Sequence, residues 1–406
     1  MERKKILFLA EAVTLAHVGR PLALAQTLDR RYYDVHFACA AGYEMFFKGS
    51  NLSSWTVHSI SSERFLAALA AGRPVYDAAT LQQYVQDDLR VLQAVRPDVV
   101  VGDFRLSLSV SARRAGVPYV ALINAYWSPY VRQHYQVPAI GLARALPIAL
   151  ADPLFRLVQP LAFALHSMPL NQVRRSYRLP SLGHDLRRIY TDADYVLYSD
   201  IPEMFPAHDL PDTHSYLGPV TWSPPTPLPA WWDAMAAEPP VIYLTLGSSG
   251  QGALLPQILR ALAPMPVQVI AATAGQVDPG PLPDNARAAD YLPGEEAARR
   301  ARLVICNGGS PTSQQALAAG VPVLGIAGNL DQYLNMHGVV SAGAGVLLRS
   351  DRLNEEQLRT RVMELVDEPA ARAAAGRMAS LFGSYDIGER FRKVLARAAG
   401  EGGSKE

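Results

Sequence analysis

The stretch ARLVICNGGSPTSQQALAAGVPVLGIAG, residues 301–328, holds three elements in one short span. An apolar run (ARLVIC) reads as a buried strand, and a turn of small residues (NGGSPT) follows it. TSQQALAAG then reads as a helix that stops at Val321-Pro322, where a second apolar run begins. Strand, helix and strand in that order make a parallel β-α-β unit. The turn also raises a chemical question. Glycines let the backbone approach a ligand closely, and the first N–H groups of a helix favour a bound anion. A glycine turn with a Ser or Thr cap opens many plain helices too, so spacing alone leaves both a phosphate site and a simple helix start open.

The same alternation extends outward from this unit. In the first half KKILFLAEAV, YDVHFACA, PDVVVGD and VPYVALINA read as strands, separated by the helices RPLALAQTLDRR, AATLQQYVQDDLRVLQAV and LSLSVSARRAG. Each apolar run is short, rich in β-branched residues and bounded by turn residues, as buried parallel strands are. The proline-crowded segment TWSPPTPLPAWWDAMAAEPP, residues 221–240, breaks the pattern and reads as a linker. The alternation then restarts at VIYLTLGSS. The expected fold is therefore α/β, with two doubly wound Rossmann-like domains facing each other across a cleft. The expected boundaries are 1–220 for the first domain, 221–240 for the linker, 241–384 for the second domain and 385–406 for a C-terminal helix and tail. Ligands of such sheets bind beyond the carboxyl ends of the strands.

Composition narrows the function. A net charge of +1 gives no electrostatic reason to expect a nucleic-acid partner. Cys39 and Cys306 close apolar runs and read as buried thiols in a reducing cytosol. MERKK followed by ILFLA lacks a cleavage site and meets Glu11 too soon for a signal peptide, so it reads as a first strand. The segment VPAIGLARALPIALADPLFRLVQPLAFALHSM, residues 137–168, carries Arg144, Asp152 and Arg156 and prolines at 147, 153 and 160. Those interruptions argue against a membrane-spanning helix and for a set of short core helices. The alternative is a surface that receives an apolar acceptor or rests on a membrane face.

No GxGxxG follows the first strand, so a dinucleotide is not indicated. AGAG at 342–345 follows a helix and reads as a turn. The window from Asn307 to Asn335, NGGSPTSQQALAAGVPVLGIAGNLDQYLN, resembles the donor signature of GT-B nucleotide-sugar glycosyltransferases, the superfamily of UDP-glycosyltransferases and macrolide glycosyltransferases. That signature reads HGGxGTxxEAxxxGVPxxxxPxxxDQxxN. Gly308, Gly309, Thr312, Ala316, Gly320, Val321, Pro322, Asp331, Gln332 and Asn335 fall on it in register. The resemblance covers most of the chain, including a C-terminal helix, DIGERFRKVLARAAG, of the kind that crosses back to the first domain.

Residue by residue, the resemblance implies a donor site made by Ser248 at the diphosphate, Tyr291 and Leu292 at the base, and Asn307, Gly308, Gly309, Ser310 and Thr312 around the phosphates. Gln315 would meet the ribose, and Asp331 with Gln332 the sugar hydroxyls, although a loop cap is the plainer role for that last pair. Three positions depart: Asn307 stands for the family's histidine, Pro311 for a glycine and Gln315 for a glutamate. Asn307 cannot carry positive charge, and Gln315 is a weaker acceptor than a carboxylate. Gly294 stands where many members have glutamine.

The family's base is a histidine after the first strand, oriented by an aspartate after a later strand; His17 and Asp103 match those places. Imidazole suits the task because it titrates near neutrality. AHVGRP has one residue more between His17 and Pro21 than the family's GHxxP. Trp127, Tyr130 and Tyr135 are candidate acceptor-lining residues. Asp192 and Asp194 are spaced like a metal-binding DxD, but they precede an apolar strand instead of following one and read as a cap and a turn. No metal or other cofactor is expected. The resulting expectation is an inverting, metal-independent transferase moving a sugar from a UDP- or dTDP-sugar to a hydroxyl of a mainly apolar small-molecule or lipid acceptor. It would be cytoplasmic, with peripheral contact at the inner membrane face as an option. The alternatives are a noncatalytic nucleotide-sugar-binding partner of a transferase and a GT-B-like epimerase.

Overall fold

A computed structural model of the chain describes residues 3–247, 250–275 and 277–400. They form two units. The first comprises the described residues up to Arg132, then Arg156–Val220 and the chain from Tyr385 onward; the second comprises Gln133–Phe155 and Thr221–Ser384.

The first unit begins β1 (Lys4–Ala10), α1 (Ala16–Gln26), β2 (Tyr33–Cys39), β3 (Ser53–Thr56), α2 (Ser62–Ala70), α3 (Ala78–Val95), β4 (Val99–Asp103), α4 (Leu108–Ala115) and β5 (Tyr119–Ile123). After α5 (Gly141–Ala145), which belongs to the second unit, and α6 (Ile148–Ser176), which enters the first unit at Arg156, come α7 (Leu186–Tyr190), β6 (Tyr195–Tyr198) and β7 (His214–Tyr216). The seven strands pair in parallel in the order β3-β2-β1-β4-β5-β6-β7. Helices cover both faces, which is why β4 and β5 are buried at every position. Alternation along β1 sends Leu7 and Leu9 to the side of Val91, Val95 and Leu108. Phe8 goes to the other side and packs between Phe37 and Phe391.

Because β1 lies between β2 and β4, the chain leaves the sheet in opposite directions at this point, and Ala10 at the end of β1 is the register partner of Asp103 at the end of β4. Such a switch point is where open α/β sheets bind ligands. α1 starts earlier than the sequence pattern suggests, at Ala16, so His17 sits in its first turn.

α6 corrects the expectation of short helices: residues 148–176 form one continuous helix with Pro153, Pro160 and Pro169 inside it. Each proline removes a single backbone bond, and the carbonyls so released belong to Ala149, Arg156 and Leu165, all exposed to water. Its inner side is anchored in the first unit: Arg174 Nη1 donates to Asp192 Oδ2 at 2.7 Å and Asn171 Nδ2 to the Gly183 carbonyl at 2.7 Å.

The second unit contains β8 (Val241–Thr245), α8 (Leu255–Leu262), β9 (Gln268–Ala272), β10 (Ala286–Ala289), α9 (Gly294–Arg300), β11 (Leu303–Cys306), α10 (Ser310–Ala318), β12 (Val323–Ala327), α11 (Leu330–Ser341), β13 (Gly345–Arg349), α12 (Glu355–Asp367) and α13 (Pro369–Gly383). Its six parallel strands run β10-β9-β8-β11-β12-β13. Ile258, Leu259 and Leu262 of α8 and Leu358, Val362 and Leu365 of α12 close one face of the sheet. Residues 221–240 carry no helix or strand; Trp232 is nevertheless buried under Arg300, whose guanidinium lies 5.0 Å from its ring centroid. The last helix, α14 (Ile387–Ala398), belongs to the first unit, where Phe391 meets Phe8.

Candidate functional site

In the first unit the switch point brings His17 and Asp103 together. His17 Nδ1 lies 2.8 Å from Asp103 Oδ1, and the imidazole is 20% exposed while the carboxylate is buried. A carboxylate can only accept, so Nδ1 carries the proton and donates, leaving the lone pair on Nε2. Phe104, the next residue, holds a left-handed backbone at φ 55° and stacks its ring on the imidazole at 4.8 Å and 13°. A non-glycine residue there costs on the order of 1–3 kcal/mol, which the surrounding packing has to offset.

The sequence reading did not single out Arg20. Its Nε donates to Asp103 Oδ2 at 3.0 Å and its Nη2 to Asp103 Oδ1 at 2.9 Å, a two-pronged grip on the same carboxylate. Nη1 donates to Asn124 Oδ1 at 2.6 Å, and Asn124 Nδ2 in turn to Asp200 Oδ2 at 3.1 Å. Burial alone would push the guanidinium down; Asp103, with Tyr126 and Asp200 beyond it, holds it above its ordinary value. One signal in the sequence pointed here: Arg20 falls within the lengthened spacing between His17 and Pro21.

Beside this cluster sits a second, sealed one. Arg105 donates to Glu11 Oε2 at 2.8 Å and Asp88 Oδ1 at 3.0 Å, stacks on Tyr84 at 3.9 Å, and none of the three ionic side chains reaches solvent. Burial raises the Glu11 carboxyl, with Arg105 pulling the other way.

The three candidate acceptor aromatics have different packing partners. Trp127 packs edge-on against Tyr190 at 5.1 Å, and Tyr190 packs against Phe104 at 5.4 Å, so an aromatic path runs from Trp127 to His17. Tyr130 sits edge-on to His214, and Tyr135 belongs to the second unit, packed against the cluster of Val137, Ala143, Ala151 and Phe155. Asp192 is held by Arg113 and Arg174, and Asp194 accepts from the Tyr119 amide at 2.8 Å, so both carboxylates serve the fold. Among the described residues there is no group of three or more His, Cys, Asp or Glu placed to hold a metal.

In the second unit the turn after β11 is built from its own side chains. Asn307 Oδ1 accepts from the Gly309 amide at 2.9 Å, closing the turn in place of the family's histidine. Gly308 has φ 81°, and a Cβ there would lie 2.7 Å from Met336 Cγ, so both conformation and space demand glycine. Asn335, not among the site residues inferred from the sequence, donates from Nδ2 to the Gly308 carbonyl and to Ser313 Oγ, both at 2.8 Å. Gly309 is the N-cap of α10 and has no side chain to cap it, while Pro311 contributes no N–H to its first turn. Burial pushes the Cys306 thiol up to about 12, so it is inert beside this turn.

Gln315 is engaged within the second unit. Its Nε2 donates to the Trp222 carbonyl at 2.7 Å and to Ser223 Oγ at 3.1 Å, tying α10 to the linker. Its Oε1 fills the space that a side chain at Gly294 would need. Gln315 and Gly294 are thus neighbours, and the absence of a side chain at 294 is what gives Gln315 its place. Gln332 Oε1 accepts from the Gly328 amide at 2.8 Å and the Asn329 amide at 3.2 Å, completing a capping box with Asn329 at the start of α11, the plainer of the two roles considered. Asp331 lies in the same first turn. Tyr291 is at the surface and Leu292 is buried; Ser248 lies outside the described residues.

Comparison with known proteins adds four findings. The profile of the family described as erythromycin biosynthesis protein CIII-like, C-terminal domain, matches residues 256–384. A PGL/p-HBAD biosynthesis rhamnosyltransferase of Mycobacterium bovis is 53% identical over 386 residues, 95% of this chain and 86% of that one. A PGL/p-HBAD biosynthesis glycosyltransferase of Mycobacterium tuberculosis is 51% identical, over 94% and 89% of the two chains. Among solved structures, the calicheamicin glycosyltransferase superposes with a TM-score of 0.71 at 21% identity, covering 99% of this chain and all of that one.

Proposed function

This chain belongs to the EryCIII-like nucleotide-sugar glycosyltransferases of GT-B fold, and from that premise we propose that it moves a rhamnosyl group from a nucleoside diphosphate donor to the hydroxyl of a phenolic, lipid-linked acceptor, by one inverting displacement without a metal. The sugar and the acceptor class rest on the mycobacterial relatives, one of them named as a PGL/p-HBAD rhamnosyltransferase at 53% identity. The observation that carries the chemistry is the 2.8 Å contact between His17 Nδ1 and Asp103 Oδ1.

In this reading the Nε2 lone pair of His17 takes the acceptor's O–H proton as the oxygen bonds to the anomeric carbon. The bond from that carbon to the diphosphate breaks, and its electron pair leaves with the nucleoside diphosphate. Asp103 keeps the imidazole in one tautomer and stabilises it once protonated. Arg20 is a positioning residue, since it fixes the carboxylate that orients the base. The amides of Ser310 and Thr312 would meet the departing charge at the start of α10, with Asn335 and Asn307 holding the turn in shape. The aromatic path through Phe104, Tyr190 and Trp127 suits a phenolic ring next to the base.

The test is turnover. UDP- and dTDP-linked deoxyhexoses are supplied with a phenol bearing a hydrocarbon chain, nucleoside diphosphate release is followed, and the anomeric configuration of the product is read by NMR. The expected result is release that needs acceptor and His17, with inversion. Tight donor binding with no turnover of any acceptor would point to a noncatalytic partner, and release of nucleotide with no acceptor would point to an epimerase.

A further inference from the structure

The outer side of α6 has no part in the transfer chemistry and nothing in the first unit covers it. From Leu157 the residues Leu157, Leu161, Leu165 and Met168 recur at helical spacing, 78%, 64%, 50% and 57% exposed, with Val158 beside them. They form a stripe about 17 Å long at 1.5 Å rise per residue. The opposite side of the same helix is buried through Phe163, Ser167, Leu170, Val173 and Arg174. The stripe is thus one face of a docked helix. Soluble surfaces rarely carry such a contiguous row of large apolar side chains without a partner.

We propose that this face of α6 seats the protein on an anionic lipid bilayer, lying in the interface and not crossing it. The charge pattern selects that partner. From Arg156 to Arg178, all within the first unit, every exposed ionic side chain is an arginine, namely Arg156, Arg175 and Arg178, and the span holds no acid. Arg73 extends the basic set, exposed next to Gly72, whose carbonyl lies 3.4 Å from His166 Nε2 on α6. Apolar side chains on one face with arginines at its ends match a bilayer whose acyl region lies beneath anionic headgroups. Shape argues the same way. Side chains this exposed stand proud of the surface, whereas a single hydrocarbon chain would need a concave groove. The anchoring of Arg174 on Asp192 and Ser109 holds the face in place before any contact with lipid.

The proposal stands apart from the transfer reading, and its vesicle assay needs no sugar. The full chain is sedimented with vesicles of phosphatidylcholine and phosphatidylglycerol in equal parts, and with pure phosphatidylcholine. Cosedimentation with the mixed vesicles, weaker on the neutral ones and reduced by salt, is expected. The triple variant Leu157→Gln, Leu161→Gln, Leu165→Gln should lower partitioning at least tenfold, since each leucine removed from lipid forfeits well over one unit of RT. Arg156→Gln and Arg175→Gln should each cost about fivefold on mixed vesicles alone. Because all five side chains are exposed, the thermal midpoint should stay at the wild-type value.

Three outcomes overturn the proposal. One is wild-type protein that stays in solution, or a triple variant that binds vesicles as wild type does. Another is a lipid-free dimer abolished by the triple variant, which would give the face to a second copy of the chain. The last is a triple variant that binds vesicles normally but needs more of a long-chain acceptor than of its short-chain analogue, which would give the face to the acceptor's own chain.

Discussion

Two ionic clusters grow from the same pair of strand ends in the first unit, and they differ in almost everything but composition. Glu11 follows β1 directly and Arg105 lies two residues beyond β4; with Asp88 they form a triad that solvent does not reach. His17 follows β1 by one turn of chain and Asp103 ends β4; with Arg20 they form a triad of the same kind whose imidazole is 20% exposed. A cation gripping carboxylates is common to both. What separates them is the imidazole with a nitrogen left over and a path to solvent. A sealed triad can only brace the fold, and buried ion pairs contribute little net stability unless one partner is removed. An open one can exchange a proton with a ligand. The lesson is that residue type at a strand end names a candidate, while exposure decides between brace and base.

The comparison breaks most sharply at His17. His17→Ala should lower kcat by roughly 10²–10⁴-fold, the range for loss of a general base, with an unchanged thermal midpoint. Activity within tenfold of wild type would assign the proton transfer elsewhere. The sealed cluster should answer in the opposite way. Arg105→Met leaves Glu11 and Asp88 buried and uncompensated, a loss of about 3–5 kcal/mol in stability. Chemical denaturation should show that loss, while kcat at a temperature where the variant is folded stays within a few-fold of wild type. If both variants lose activity and stability alike, the distinction between brace and base fails.

These two clusters also show how far the sequence can be read. His17 and Asp103 were legible because they match the places of the family's base and its orienting aspartate, and alternation put both near strand carboxyl ends, where neighbours in the sheet meet. Arg20 was not, since an arginine early in a helix reads as a solvated charge until the carboxylate it grips is located. The glycine turn was legible by register with a known signature, yet the contact of Gln315 with Gly294 and the linker depends on residues far apart in sequence. α6 was misread because three prolines look like three helix ends. A proline costs one backbone bond, and where the released carbonyl faces water the helix continues.

Arg20 lies between the two behaviours and sharpens the contrast. Arg20→Gln keeps a donor near Asn124 but gives up the two-pronged hold on Asp103. Stability should fall by about 1–3 kcal/mol, as for a buried charge left with fewer hydrogen bonds. The rate should fall by about tenfold through kcat, with KM for the donor unchanged, because the carboxylate still reaches His17 but in a looser geometry. A variant that loses stability and keeps its full kcat would move Arg20 into the same class as Arg105.

The smallest expected effect tests the sealed cluster by pH. Burial raises the Glu11 carboxyl above 4.5 in the folded protein, with Arg105 opposing. A carboxyl raised on folding binds its proton more tightly in the native state than in the unfolded chain. Its stabilising contribution is therefore complete below pH 4.5 and declines as pH rises through the folded value. Glu11→Gln removes that titration. Stability measured by denaturation from pH 4.5 upward should decline less in the variant than in wild type, whatever the offset between the two curves. Parallel curves would mean that Arg105 holds Glu11 ionised across the whole range, and the brace would then be an ion pair at every pH. His17→Ala should leave this slope as it is in wild type, since the open triad and the sealed one share strand ends but no side-chain partner.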